Sequence, residues 1–425
     1  MPPDVLSVAD RLWNGELSTS TFHPVDHMGG FVEITDGVGF CPSFANVSAF
    51  ATEDGLVLVD TGSAPLAQVV HDDIRTWSAA HLNTAVYSHG HIDHVFGVPV
   101  WEAEAASQGW PAPEVIAHHA LPARFDRYIF TAGYNTIINR RQFGLTDLNW
   151  PTEYRYPDRT YHDTLDVSVG GAGFALRHEK GETDDHTITW QADTRVLCCG
   201  DLFIWASPNA GNPQKVQRYP REWAAALRRM LALNAEFLLP GHGFPVVGAG
   251  RVRQALTETA DLLDSLVDQT LAVMNAGGRL DDAIHGVRPP AELEARPYLR
   301  PVYDEPEFIV RNTWRLYGGW WDGNPATLKP APERVLAAEL ADLAGGPAVL
   351  AERALALADQ AGDGDGAAET ALRLAGHLAE LARLAAPDDG AIAEIHRRVF
   401  TARADAATST MAKGVFRWAA QEGAS

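Results

Sequence analysis

Strand-sized apolar runs fill the first 250 residues of this 425-residue chain and then stop. The runs are Phe31–Thr35, Gly55–Asp60, Thr84–Ser88, Glu114–Ala117, Phe174–Arg177, Thr187–Trp190, Val196–Cys199 and Phe237–Leu239. They are short and alternate with Gly, Asp and Pro breaks, which is the signature of strands rather than helices. Helical spacing interrupts them at Pro65–Ala80 and Arg221–Asn234, and the Arg- and aromatic-bearing stretch Leu121–Asp147 predicts helices inserted over one edge of a sheet. After Arg251 only helical patterns remain: Val252–Met274, a helix opening at Pro306-Glu307, then Pro332–Leu343, Ala348–Gln360, Gly366–Leu384 and Gly390–Ala404. The switch predicts a mixed α/β (α+β) domain over residues 1–250 and an all-α domain over 251–425, each long enough to bury a core.

Acids outnumber bases 55 to 34, a formal charge of −21. That balance repels nucleic acid and anionic membrane, so neither is an expected partner. No apolar run reaches the length of a membrane span, and Met1-Pro2-Pro3-Asp4-Val5 lacks the basic and apolar regions of a secretory signal. Cys41, Cys198 and Cys199 cannot build a disulfide framework, which points to a reducing cytoplasm. The acidic run Gly362-Asp363-Gly364-Asp365-Gly366 lacks the carboxylate spacing of a calcium loop and reads as a turn between helices.

The chemistry is concentrated in Ser88-His89-Gly90-His91-Ile92-Asp93-His94, directly after a strand. On extended backbone, residues two apart point the same way, so His89 and His91 can share one metal. A turn would then present Asp93 and His94 to a second metal nearby. Imidazole with carboxylate suits zinc, iron or manganese. One segment cannot complete two coordination spheres, so further ligands are expected at other strand ends. Glu182 lies in Gly181-Glu182-Thr183, Asp201 in Cys199-Gly200-Asp201, and His242 in Pro240-Gly241-His242-Gly243. Irregular loops at one sheet edge are where such side chains converge. His186, four residues after Glu182, is a possible substitute for it. His118 and His119 read as structural.

Asp60-Thr61-Gly62, the His89–His94 segment, Gly181-Glu182-Thr183, Cys199-Gly200-Asp201 and Pro240-Gly241-His242 resemble, in order, the motifs of the metallo-β-lactamase fold. Glu at 182, where most members carry His, narrows the resemblance to the type III alkyl sulfatases. The stretches from Tyr303-Asp304-Glu305-Pro306-Glu307-Phe308 to Asn324-Pro325-Ala326, and Leu343 to Leu350, resemble the helical dimerisation domain of those enzymes. The similarity spans about residues 30–385. It implies an αββα sandwich as catalytic domain, with two metals at one end of its sheets, followed by an all-helical dimerisation domain. By position it assigns His89, His91 and Glu182 to one metal and Asp93, His94 and His242 to the other. Asp201 would bridge them, where the family usually has Glu, and Asp60 would support the histidine loop.

The implied activity is hydrolysis of a sulfate ester or similar small anionic ester by a hydroxide held between two divalent ions, zinc first, with iron or manganese as alternatives. Asp93 would take the water proton, and Asp201 would share in catalysis as the bridge. Asn209, Lys215, Arg218, Tyr219 and Trp205 are the candidate substrate-binding residues. Asn209 keeps the family pattern, whereas Pro208 replaces its His and the Leu-Arg-Gly-Ala run is missing; Lys215 and Arg218 read equally well as surface charge. Two other readings stay open on the same fold: a non-haem diiron enzyme that activates oxygen, and a lactonase or related hydrolase. A silent assembly protein is a third. Trp314, Trp320 and Trp321 around Tyr317-Gly318-Gly319 offer more aromatic surface than a helical module hides easily, which predicts a homodimer through the helical domain.

Overall fold

Strict alternation of side chains along the strands lets one sheet feed two cores at once. In the computed structural model, which describes residues 4–26, 29–361 and 366–422, all five residues of the strand Gly55–Val59 are buried. Val57 and Val59 enter a core with Phe40, Phe50 and Phe174, while Leu56 and Leu58 face Val70, Ile74 and Trp101 on the opposite side. The first sheet has seven strands in sequence order: β1 (Val32–Thr35), β2 (Val38–Cys41), β3 (Val47–Thr52), β4 (Gly55–Val59), β5 (Leu82–Val86), β6 (Glu114–His118) and β7 (Arg159–Tyr161). Pairing is antiparallel from β1 to β4 and parallel from β4 to β7.

The second sheet contains β8 (Thr164–Val169), β9 (Ala172–His178), β10 (Thr187–Gln191), β11 (Val196–Gly200), β12 (Phe237–Pro240) and β13 (Val246–Val247), in the order β13-β12-β11-β10-β9-β8. Only β11 and β12 run parallel there. Phe50 and Phe174 meet edge to face at 5.2 Å between the sheets. Helices Ala67–Arg75 and Val98–Gln108 cover the outer face of the first sheet, and Trp223 and Leu227 of Pro220–Leu231 pack into the core shared with the second. This is the four-layer αββα arrangement.

Contacts divide the chain into two compact units, one of residues 1–132 and 150–319, the other of 133–149 and 320–425. The end of strand signals at 250 is therefore not the edge of a unit. The helix Ala249–Asn275 places Leu256, Leu263 and Leu266 in the same core as the second sheet, and Ile309, Val310 and Trp314 of Pro306–Gly318 join it. Trp314 is thus core of the first unit, while Trp320, in the second, is 72% exposed. The expected insertion Leu121–Asp147 is two helices, Leu121–Phe130 and Ala132–Phe143, and residues 133–149 belong to the second unit. There the Arg141 guanidinium lies 3.8 Å from the Trp418 ring. Ala354, Ala375, Ala379 and Ala382 line the helix interfaces of that unit, small residues that let helices approach closely. The Gly362–Gly366 turn falls at residues 362–365 outside the described residues. Among the described residues no helix is long and apolar enough to cross a membrane.

Candidate metal centre

Turns at one end of the two sheets carry the ligand-type side chains, all within the first unit. Asp60 follows β4, the histidine segment follows β5, Glu182 lies between β9 and β10, Asp201 follows β11 and His242 follows β12. The histidine segment bends at residues 88–90 instead of extending β5. Gly90 permits the bend: a Cβ there would lie 2.8 Å from Arg124 Cδ. Its N–H donates to Asp185 Oδ2 at 2.9 Å, and Asp185 Oδ1 pairs with Arg124 Nε at 2.7 Å. His89 Nε2 and His91 Nδ1 consequently meet at 2.7 Å. The two rings converge through different nitrogens, so a bend and not strand alternation makes them neighbours.

Two groups of donors result. Glu182 Oε2 is 3.5 Å from His89 Nε2 and 3.6 Å from His91 Nδ1, and Asp201 Oδ2 is 3.7 Å from His89 Nε2. In the second group Asp93 Oδ2 lies 3.6 Å from His94 Nε2 and 3.3 Å from His242 Nε2. Asp201 also reaches this group, with Oδ1 3.4 Å from His94 Nε2 and Oδ2 3.3 Å from His242 Nε2. Tetrahedral ligands around a zinc-sized ion sit about 3.4 Å apart, so the carboxylate–imidazole separations fit metal ions, while His89 and His91 at 2.7 Å stand at hydrogen-bond distance. His94 Nε2, Glu182 Oε2 and Asp201 Oδ1 are buried without a hydrogen-bond partner. Each would cost about 1–3 kcal/mol if left so, and a cation at the centre of each group removes that cost.

Surrounding groups aim the ligands. Asp60, at φ +60°, accepts from Ser88 N and Ser88 Oγ and meets His94 Nδ1, all at 2.7 Å. A carboxylate only accepts, so the ring proton of His94 sits on Nδ1 and Nε2 is left bare for a cation. Ser88 Oγ is 3.0 Å from His89 Nδ1 and does the same for that ring. The Phe44 carbonyl meets His242 Nδ1, and Asn46 Nδ2 holds the turn by donating to Pro240 O and Gly243 O at 3.0 Å each. His186 is not a substitute for Glu182. Its Nε2 accepts from the Asp201 N–H at 3.2 Å, and its ring stacks on His89.

The electrostatics agree with the geometry. Burial and the neighbouring Asp201 push the Glu182 carboxyl up to about 8. Against their own burial, His94 and His242 hold Asp93 down at about 2, and Asp201 and Asp93 lift His242 to about 10. Without positive charge at its centre, the cluster keeps protons on Glu182 and His242 beside the ionised Asp93. Divalent cations would meet that demand.

The candidate substrate residues separate. Asn209 is buried and its Nδ2 donates to Glu182 Oε1. Arg218 is buried too, not surface charge; its Nη2 lies 3.5 Å from the same Oε1 and its Nε donates to Asn209 O at 3.3 Å. Burial, with the like charge of Arg218, brings the Lys215 amine down to about 7, and Lys215 Nζ lies 5.6 Å from the Trp150 ring. Tyr219 sits under the Lys180 ammonium at 3.7 Å. Trp205 does not line the site. It is 1% exposed, donates to Phe244 O at 2.6 Å and packs edge-on against Trp13 and Tyr298. Ser88, Asn46 and Asp185 escaped the sequence reading, since their partners are mostly distant in the chain. His118 stacks on His178 and His119 packs at a tilt against His162, apart from both groups.

Residues 42–242 match the family model of the metallo-beta-lactamase superfamily, and residues 279–425 that of alkyl sulfatase dimerisation. A linear primary-alkylsulfatase of Pseudomonas sp. is 28% identical over 69% of this chain and 59% of its own length. An alkyl/aryl-sulfatase of Saccharomyces cerevisiae is 25% identical over 76% of this chain and 54% of its own. The chain thus spans little more than half the length of these curated relatives. The solved stereoselective inverting sec-alkylsulfatase of Pseudomonas sp. superposes with a TM-score of 0.82 at 21% identity, covering 93% of this chain and 66% of that one. Fold and order of motifs agree with both matches: a part similar to the metallo-beta-lactamase superfamily is followed by a part similar to the alkyl sulfatase dimerisation segment.

Proposed function

We propose that the protein is a dinuclear-metal hydrolase that cleaves an alkyl sulfate or a similar small anionic ester and works as a homodimer. The observation that carries the reading is the convergence of His89, His91, Asp93, His94, Glu182, Asp201 and His242 into two donor groups that share Asp201. The curated relatives named as alkylsulfatases supply the substrate class.

His89, His91 and Glu182 would hold one ion, Asp93, His94 and His242 the other, with Asp201 between them. Divalent ions there would acidify a water and offset the negative charge of the ester and its leaving group. The remaining work falls to the chain. Asp93, kept ionised and exposed enough to meet solvent, accepts the proton of the attacking water. Lys215 and Arg218 place positive charge beside the sulfate head group, while Asn209 and Arg218 also keep Glu182 turned toward the histidines. Zinc is the first choice; iron or manganese would suit the oxygen-bearing Glu182 and Asp201. For the dimer, Leu336, Leu340 and Leu343 lie on one face of the helix Glu333–Ala344 at 49%, 36% and 77% exposure, while Ala337 and Ala341 face inward. Such an apolar stripe fits a second copy.

Elemental analysis of the purified protein, combined with turnover of alkyl sulfates, phosphate esters and lactones, tests the reading. Two bound ions, and sulfate-ester hydrolysis abolished by His91→Ala and by chelation, are expected. Full activity of the metal-free protein would overturn it, and a coloured iron-bearing protein that consumes oxygen would favour the oxygen-activating reading.

A further inference from the structure

The dimerisation match begins at residue 279, yet residues 279–319 belong to the first compact unit. Two buried polar side chains of that stretch bond to the loop that follows Asp201. Asp304 Oδ2 accepts from Gly211 N at 2.6 Å and its Oδ1 from Glu305 N at 2.8 Å. Asn312 Nδ2 donates to Ala210 O at 2.7 Å and to Arg218 O at 3.0 Å, while its Oδ1 accepts from Gln217 Nε2 at 2.8 Å. The loop is pressed against this stretch so closely that a Cβ on Gly211 would fall 2.2 Å from the Phe308 carbonyl carbon.

Every clamped residue adjoins a group that touches Glu182. Ala210 and Gly211 follow Asn209, whose Nδ2 donates to Glu182 Oε1, and Arg218 points its guanidinium at the same oxygen. With Oε1 taken by these two donors, Oε2 is left facing His89 and His91. We propose that Asp304 and Asn312 are positioning residues of the metal centre: they fix the 209–218 loop, and through Asn209 and Arg218 they hold the Glu182 carboxylate in its ligating orientation. The start of the dimerisation segment is then a working part of the catalytic site. This rests on the reading of Glu182 as a metal ligand.

The test is a zinc titration of the full chain against a chromogenic chelator, for wild type, Asn312→Leu, Glu182→Gln and the double variant, with melting of the metal-free proteins measured alongside. Wild type should take up two ions. Asn312→Leu keeps the number and branching of side-chain heavy atoms and loses the amide's hydrogen bonds, so it should weaken one ion about tenfold, the scale of a lost partner behind a ligand, and leave the other within twofold. The weakened ion should be the one Glu182→Gln weakens, and the double variant should lose little more than Glu182→Gln alone, because both act through one carboxylate. A purely structural role would weaken both ions together or add fully to Glu182→Gln; either result, or no weakening, overturns the proposal. Should Asn312→Leu fail to fold, Asp304→Asn, which keeps the shape and one acceptor, is held to the same pattern at about threefold. If Glu182→Gln itself changes no metal affinity, the ligand reading fails and takes this proposal with it.

Discussion

Asp60→Asn should unbalance the two metal sites, and the hydrogen bonds at 2.7 Å say why. Asp60 Oδ1 accepts one N–H, from Ser88, while Oδ2 serves both Ser88 Oγ and His94 Nδ1. An amide offers one oxygen. If that oxygen takes the Oδ1 position, its NH2 faces His94 Nδ1, and the ring must move its proton to Nε2, the atom meant for the metal. If the amide flips, NH2 meets the Ser88 N–H, donor against donor. Ser88 Oγ, with two lone pairs, accommodates either choice by turning its own proton and still accepts from His89. The loss therefore concentrates on His94. One charge-assisted hydrogen bond is worth about 1.5–3 kcal/mol, equivalent to about 10–100-fold in affinity. A competition titration should show the Asp93, His94 and His242 ion weakened by that factor and the His89, His91 and Glu182 ion changed by less than about threefold. Asn also tolerates positive φ, so backbone strain is not introduced, and melting of the metal-free variant should fall little. Equal weakening of both ions, or none, refutes the argument.

Gly241→Ala should abolish activity, because a Cβ would stand 2.2 Å from Asp201 Oδ1 and 2.9 Å from His94 Cε1; two ions bound with wild-type turnover would contradict it. Lys215→Met should raise KM for a sulfate ester about tenfold at pH 6, the effect of about 1.4 kcal/mol of lost attraction. The amine titrates at about 7, so it is charged below that pH and neutral above it; wild-type KM should rise through pH 7–8 and Lys215→Arg should flatten the rise. Trp205→Leu should cost about 3 kcal/mol in unfolding free energy with KM unchanged; a KM shift at unaltered stability would return Trp205 to the substrate pocket. Leu340→Glu should convert the dimer to a 46.1 kDa species in sizing chromatography; wild type eluting at that mass at every concentration would remove the dimer.

The candidate ligands are legible because each combines a metal-binding side chain with a glycine-marked turn after a strand-sized run, a pattern that depends on local sequence alone. Their reach was not. Nothing in Leu202–Tyr219 tells which of its side chains turn inward: Trp205 looks like an apolar pocket wall and is core, and Arg218 looks like surface charge and is buried against Glu182. Asp185 acts on Gly90 across 95 positions, and Asn46 on Pro240 across 194, so local spacing carries no trace of them. β2 and β3 escaped because Gly39 and Ser48 interrupt their apolar runs. Composition records where strands end, while a compact unit ends where packing ends. The helix Ala249–Asn275 has the same periodicity as the helices C-terminal to it, yet its leucines belong to the core of the sheets before it.

Asp201 shows how a short carboxylate serves two donor groups. Its reach depends on a close approach of backbones. Gly200 turns at φ +48°, and a Cβ there would lie 2.7 Å from His186 Nε2, the atom that accepts the Asp201 N–H. Gly241 donates its own N–H to Gly200 O at 2.8 Å and has no side chain to keep Asp201 from His94. Asp201, fixed through its main chain by His186 and flanked by these two glycines, reaches His94 at 3.4 Å, His242 at 3.3 Å and His89 at 3.7 Å. The spacing between the groups is thus set by two glycines and an imidazole that ligate nothing. Asp201→Glu is therefore not a conservative replacement. A longer side chain at 201, with the backbone already drawn in, would thrust its carboxylate into the space the ions need.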